Sequence, residues 1–417
     1  MLVDRVDSCG LSRGMVVGVT QAKSHFTVSY GSCDGTSGRL VDEKSIFEIG
    51  SITKLFTALL LADMASRGEV RLDEPVAELL PAGTHVPSRN GRDITLRDLA
   101  SHHSGLPRIP TNLKPNDPAD PYAHYTVDHL YAFLASHELV RTPGDTFEYS
   151  NLGVGLLGHA LVLRAGAGDY ESLVRHCILG PLGMNDTVVA MPSRLLDRVA
   201  VPHDSNLDPV PLWDLGILAG AGALRSSASD LLVFLDALCD AESPIAPMVG
   251  LLVTPRAQGG TELGPPHPDG GIAISHAGGT GGTRTFARCI PDWKRGVVVL
   301  SNAGIDAVVD LGLHVLDTRF PQHWYRREVA VDPRTLARLV GRYRLSPSAE
   351  FDVTTSADRL YVRLSDQDAF RVFPLSEWNF FYKVVNAQLT FEPGDDGCAA
   401  RLVLHQNASD RIAERIE

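Results

Sequence analysis

The chain has 417 residues, 44% of them apolar, and a formal net charge of -12. That length and composition exclude a disordered chain and leave room for two or three domains with a large core, while the acidic balance, uncompensated by any lysine or arginine run, excludes a nucleic-acid surface. Nothing approaches the roughly 18 apolar residues of a membrane span, and the opening residues, with Asp4, Arg5, Asp7 and Arg13, do not read as a secretory signal, so the expected address is the cytoplasm.

In chain order, residues 15–19 and 26–30 read as two strands joined by a polar turn, a hairpin that needs further strands beside it. Residues 46–50 are extended and run into an apolar helix over 54–67, stopped by Gly68. Helical patterns continue at 96–101, 127–136, 152–163, 170–177 and 229–238, and strand-like runs return at 271–275, 284–290 and 295–300. After Val331-Asp332-Pro333 the chain changes to short β runs at 351–353, 359–363, 370–373, 388–391 and 401–404, as in a small barrel or sandwich. The expected fold class is therefore α+β. An antiparallel sheet flanked by helices is built from residues 15–50 and 270–325, with a helical subdomain inserted at about 70–265. Residues 1–325 form this domain and 331–417 a separate all-β domain, with a site expected in the seam between sheet and helices. Six scattered cysteines without a CxxC pair fit reduced structural thiols, and no zinc or other metal site is expected.

Ser51-Ile52-Thr53-Lys54 sits where the extended segment turns into the long helix. A serine and a lysine three apart share one helix face, so an amine can reach a hydroxyl and take its proton. The chain has six lysines, at 23, 44, 54, 114, 294 and 383, and of these Lys54 alone has a serine three residues before it. Arginine cannot substitute, because its guanidinium stays protonated. Lys54 must titrate near neutrality, far below its reference value of about 10.4, which costs the charged form on the order of 4 kcal/mol; burial, the helix N-terminus and nearby cations all push that way. The competing reading is that Ser51 caps the helix and Lys54 snorkels to water.

Tyr149-Ser150-Asn151 follows an extended run and precedes a helix. A phenol beside a lysine can share its proton and pass it onward; the structural alternatives are a half-buried aromatic and an Asn151 helix cap. Ser275-His276-Ala277-Gly278-Gly279-Thr280-Gly281-Gly282 lies at a strand end, where glycines let a substrate lie close and a backbone N–H can supply an oxyanion donor. It lacks the endings and spacing of a phosphate loop, so no nucleotide and no other cofactor is expected. His102-His103 reads as structural, there being no further spaced ligands.

The three motifs, in the order SxxK, YxN, HxG, resemble those of the serine β-lactamase-like superfamily, in the branch of class C β-lactamases, D-stereospecific peptidases and related esterases and acyl transferases. Further matches are Phe47-Glu48-Ile49-Gly50, Gly68 to Val76, Ile94 to Pro107, Pro181-Leu182-Gly183-Met184 and Ala219 to Leu224 with Asp230, so the resemblance spans most of residues 15–305. It implies Ser51 as the acylated nucleophile, Lys54 and Tyr149 as the proton-handling pair, and Asn151 facing the substrate amide. It also implies an oxyanion hole from the N–H groups of Ser51 and Gly279, with His276, Gly278 and Gly279 along the substrate. Lactamases and cell-wall peptidases usually carry lysine where this chain has His276, which argues against efficient β-lactam hydrolysis. Residues after about 330 resemble the lipocalin-like domain of many relatives, a possible specificity element.

The resemblance thus implies a serine hydrolase acting on an ester, an amide or a D-amino-acid peptide, with a small-molecule or short-peptide acyl donor. An acyl transferase, in which an amine intercepts the same acyl-Ser51, is the alternative, and a non-catalytic binding module a third reading. No membrane or nucleic-acid partner is expected.

Overall fold

The computed structural model describes residues 1–254, 269 and 271–416. They form two units, Ser12–Gln322 and a second made of Met1–Leu11 with His323–Glu417. The division expected at 325–331 is close at that end. The first eleven residues, however, belong to the second unit: Lys383 Nζ donates to the Gly10 carbonyl at 2.9 Å and Asp4 pairs with Arg327 at 2.7 Å.

In the first unit, β1 (Gly14–Gln21) and β2 (Ser24–Gly31) make the expected hairpin. Its turn residues, Ala22 and Lys23, both take positive φ, the geometry that matches strand twist in a two-residue turn. The distant partners are β5 (Ile274–Gly279), β6 (Arg284–Ile290) and β7 (Arg295–Ser301), giving an antiparallel sheet in the order β2-β1-β7-β6-β5. The short β3 (Phe47–Glu48) and β4 (Arg225–Ser226) pair separately beside it. One difference matters for the site: β5 starts three residues later than the run 271–275 suggested, so His276 to Gly279 lie inside the strand and not in a loop after it.

Helices cover both faces of the sheet. Gly18 and Gly296 leave room for Leu232 and Leu235 of the helix Ala228–Cys239, while Gly312 of the helix Val309–Leu316 lies on Phe286 and Val299, which point the opposite way along their strands. α1 (Thr53–Ser66) is buried on all sides from Thr53 to Met64, as an all-round apolar helix must be. Its Phe56 stacks on Phe234 at 4.1 Å between ring centroids.

The inserted helical region holds α2 (Leu96–Ala100), α3 (Val127–Ser136) and α4 (Asn151–Ala165), the first with a Thr95/Asp98 capping box. The expected helix at 170–177 is α-helical over Tyr170–Val174 and then widens to a π turn at Arg175–Leu179. Residues 255–265 of the expected insertion lie outside the described residues. No helix among the described residues is long and apolar enough to cross a membrane.

In the second unit eight strands, from Gly341–Ser346 to Ser409–Arg415, close into an antiparallel barrel. Inward side chains fill it: Tyr343, Phe351, Phe380 and Phe391 are fully buried, with Phe380 edge-on to Phe391 at 5.7 Å. Of the two architectures open to the sequence, barrel and sandwich, closure without free edges is the one adopted.

Candidate active site

Gly50 begins the local geometry. Its φ is +50°, and a Cβ there would stand 2.5 Å from the Gly279 backbone nitrogen. Only a residue without a side chain lets the turn before α1 press against β5 in this way. Gly278 completes the contact, since its missing Cβ would meet the Ile49 carbonyl at 2.0 Å. Gly278 therefore serves backbone packing; the space the sequence reading had assigned to substrate there is filled by the segment that carries Ser51. Gly279 does line the cavity, beside Gly50 and Ser51.

Ser51 lies in a single turn of 3-10 helix over Gly50–Ile52 that leads into α1. Lys54 Nζ lies 2.8 Å from Ser51 Oγ and donates to the Ala221 carbonyl at 2.6 Å. Among the described residues no carboxylate offsets the burial of the ammonium, so its pKa is held well below the ordinary lysine value, first by desolvation and then by the charge of Arg108. Deprotonated, the amine offers a lone pair to the Ser51 proton.

Tyr149 arrives from the other side, its Oη 2.8 Å from Ser51 Oγ. Burial raises its pKa, so the phenol rests protonated, and its bond to Ser51 and the Arg108 charge only partly oppose this. The two shifts run in opposite senses: burial disfavours the charged amine at Lys54 and the charged phenolate at Tyr149. Ser150, not Asn151, caps α4, its Oγ accepting from Gly153 N at 2.8 Å. That leaves the Asn151 side chain free to face the cavity, where its Oδ1 is buried without a partner.

The cavity is small, with a volume of about 30 Å³, and is walled by Ser51, Tyr122, Asn151, Trp213, Leu218 and Gly279, among others. Behind the wall, Glu48 is buried and accepts from Trp213 N and from Thr280 Oγ1, each at 2.6 Å. Burial raises its pKa against those bonds and the nearby Arg225 charge. His276, half-buried on β5 with its ring 6.2 Å from that of Tyr149, is pushed down to about 4 by burial and by Lys54, so it is neutral at pH 7.

Sequence reading missed four neighbours of this centre. Arg108 stacks on Tyr149, with 5.0 Å from guanidinium carbon to ring centroid. Tyr122 shares a hydrogen bond with Asn151 and meets Trp213 at 5.5 Å. His102, read as structural, touches Tyr149 directly at 4.5 Å between ring centroids. The signals were faint: Arg108 follows Leu106-Pro107 directly, and His102 opens His102-His103-Ser104-Gly105, but nothing local says what they face. Among the described residues no group of three or more His, Cys, Asp or Glu side chains could hold a metal ion.

Residues 3–317 match a family model described as Beta-lactamase, and residues 325–415 one described as a domain of unknown function, DUF3471. The chain is similar to penicillin-binding protein 4* of Bacillus subtilis (strain 168), with 26% identity over 433 residues covering 93% of this chain and 91% of that protein. It is 28% identical to the D-alanyl-D-alanine-carboxypeptidase/endopeptidase AmpH of Escherichia coli (strain K12), across 69% of this chain and 78% of that one. The crystal structure of a class C beta lactamase from Rhodobacter sphaeroides superposes with a TM-score of 0.59 at 27% identity, covering 72% of this chain and 92% of that one.

Proposed function

The chain belongs to the Beta-lactamase family, and from that premise we propose a serine acyl-enzyme hydrolase acting through Ser51, Lys54 and Tyr149. The observation that carries the reading is the Ser51 hydroxyl held 2.8 Å from both the Lys54 amine and the Tyr149 phenol. Lys54 takes the hydroxyl proton as Oγ bonds to the acyl carbon. The oxyanion is met by the N–H groups of Ser51 and Gly279, and Tyr149 gives its proton to the leaving group as the bond to it breaks. The Lys54 proton then returns to the tyrosine oxygen. Water repeats the sequence, freeing the acid and restoring Ser51. Asn151, with an unpartnered acceptor in the wall, receives a substrate N–H.

A relative named as a D-alanyl-D-alanine-carboxypeptidase supports esters, amides and D-amino-acid peptides as the substrate range. The neutral His276 argues against β-lactams as preferred substrates, because it cannot hold a carboxylate as a fixed cation does. Aminolysis of the same intermediate would make the protein an acyl transferase.

The test is mass spectrometry after exposure to a fluorophosphonate and to a penicillin, with Ser51→Ala as control. An adduct on Ser51 is expected, and its absence with every probe would overturn the reading in favour of a binding module. An activated ester supplied with and without an amine then separates free acid from amide product.

A further inference from the structure

The cations around the cleft differ in how fully their donors are used. Lys54 bonds to Ser51 and Ala221. Arg284 Nη1 is spent on the carbonyls of Thr280 and Thr283, at 2.7 Å each, and Arg225 on those of Val189 and Trp213. His102 and His276 titrate at about 3 and about 4 and carry no charge at neutral pH. Arg108 is the exception: exposed, and without a side-chain acceptor or paired carboxylate among the described residues.

Its place is nonetheless well defined. The Arg108 carbonyl accepts from Asn151 N at 2.9 Å and Leu152 N at 3.3 Å, which ties its backbone to the Tyr149–Asn151 segment. The guanidinium lies over the Tyr149 ring, a contact that uses none of its N–H groups in a hydrogen bond to an oxygen and leaves them to bond an incoming group. The acids around the cleft are engaged elsewhere: Glu48 accepts from Trp213 N and Thr280 Oγ1, Asp120 accepts from Asp214 N at 3.0 Å, and the cation beside both is Arg225. With a net charge of -12 on the chain, long-range attraction does not favour an anionic ligand, so a local fork must provide what recognition there is.

Building on the acyl-enzyme reading, we propose that Arg108 forms an anion subsite at the cleft, and that the preferred acyl donor carries a carboxylate in addition to the bond that is cut. The unpartnered Asn151 acceptor adds an amide N–H to that description, so the substrate class is an acidic amide or peptide. The guanidinium takes the carboxylate in a two-point hydrogen bond, which a lysine at the same place could not reproduce.

The experiment uses the full chain and two pairs of esters matched in length. One pair places the charge in the acyl half, 4-nitrophenyl monoglutarate against 4-nitrophenyl pentanoate; the other in the leaving half, 3-acetoxybenzoate against 3-ethylphenyl acetate. The readout is the ratio of kcat/KM within a pair, which cancels any change Arg108 makes to Lys54. The ratio is expected to favour the anion about tenfold in at least one pair, to weaken with added salt, to fall to near one in Arg108→Gln and to invert in Arg108→Glu. A ratio near one in both pairs, or one that Arg108→Gln leaves unchanged, overturns the subsite. Ser51→Ala run alongside keeps the two readings apart: turnover lost in that variant with no anion preference sinks the subsite alone, whereas turnover retained in it sinks the acyl-enzyme reading.

Discussion

His102 brackets Tyr149: its carbonyl accepts from Glu148 N at 2.8 Å, its Nδ1 accepts from Ser150 N at 3.1 Å, and its ring lies 4.5 Å from the phenol between them. The residue is buried and takes a φ of +59°, a conformation side chains rarely adopt, which locates strain beside the reacting groups. Burial keeps it neutral down to about pH 3, so Nδ1 remains an acceptor throughout the working range. His102→Ala is therefore expected to lower kcat by about 10- to 100-fold with little change in KM, because a misplacement of the tyrosine near 1 Å costs on that order. His102→Asn, whose side chain tolerates positive φ and can accept the Ser150 N–H, is expected to recover part of the loss; equal rates in the two variants would count against the bracket.

Tyr149→Phe removes the proton donor while keeping the ring against His102 and Arg108. The rate is expected to fall by about 10²- to 10⁴-fold, and by most for esters of poorly acidic alcohols, which need a proton as they leave. Kinetics across a series of leaving groups check this. A loss independent of leaving-group acidity would assign Tyr149 a packing role only.

How much of this was legible in the sequence depends on distance along the chain. Ser51 and Lys54 are joined by helix geometry, so three residues sufficed. The sheet was readable because β1 and β7 carry nearly continuous apolar runs, β2 alternates Phe26, Val28 and Tyr30 with polar residues, and marked turns separate β1 from β2 and β6 from β7. Strands at 341–346, 379–381 and 409–415 escaped notice because they are short or mostly polar outward, and barrel closure supplies pairing that no local pattern announces. Glu48 and Arg108 were invisible as site residues for the same reason: their partners, Trp213 and Thr280 in one case and Tyr149 in the other, are 41 or more positions away. Gly278 misled because a glycine reads alike whether substrate or backbone occupies the space it leaves.

In the acyl-enzyme reading proposed above activity requires the free Lys54 amine, so Lys54 is expected to set the acid side of the pH profile. Its depressed pKa places that limb well below the ordinary lysine value. Arg108→Gln removes a positive neighbour, which favours the protonated amine, so the limb of kcat/KM for an uncharged ester is expected to move to higher pH. A limb that stays in place would disconnect the two residues.

The same amine should weigh on stability. In the unfolded chain Lys54 holds its proton up to about pH 10.4, whereas the fold holds it neutral at lower pH, so between the depressed folded value and 10.4 unfolding takes up a proton and stability rises with pH. Lys54→Met, of similar length and uncharged, is expected to be inactive yet more stable at pH 7, by about 1 kcal/mol or more, with the advantage shrinking toward pH 10. Urea unfolding at both pH values checks the sign; a variant less stable at pH 7 would contradict a deprotonated resting lysine.

Glu48 supplies the last case, with the opposite group and the same reasoning. Burial raises its carboxyl pKa, so the fold favours the protonated form, and ionisation as pH climbs from the unfolded value near 4.3 through the raised folded one costs stability. A glutamine can still accept from Trp213 N while its amide donates to Thr280 Oγ1, whose hydroxyl can turn to accept. Glu48→Gln is therefore expected to match or exceed the parent in stability at pH 7, and to lose that advantage below about pH 4, where the parent carboxyl is neutral in both states. Glu48→Ala instead strands the Trp213 amide and the Thr280 hydroxyl and should cost about 1–3 kcal/mol. Because Thr280 follows Gly279 directly, the alanine variant should also lower kcat for neutral esters, while the glutamine variant keeps it. Thermal scans at pH 4 and 7 with steady-state kinetics decide the matter, and a Gln variant as damaged as the Ala variant at pH 7 would show that the negative charge itself holds the oxyanion wall in place.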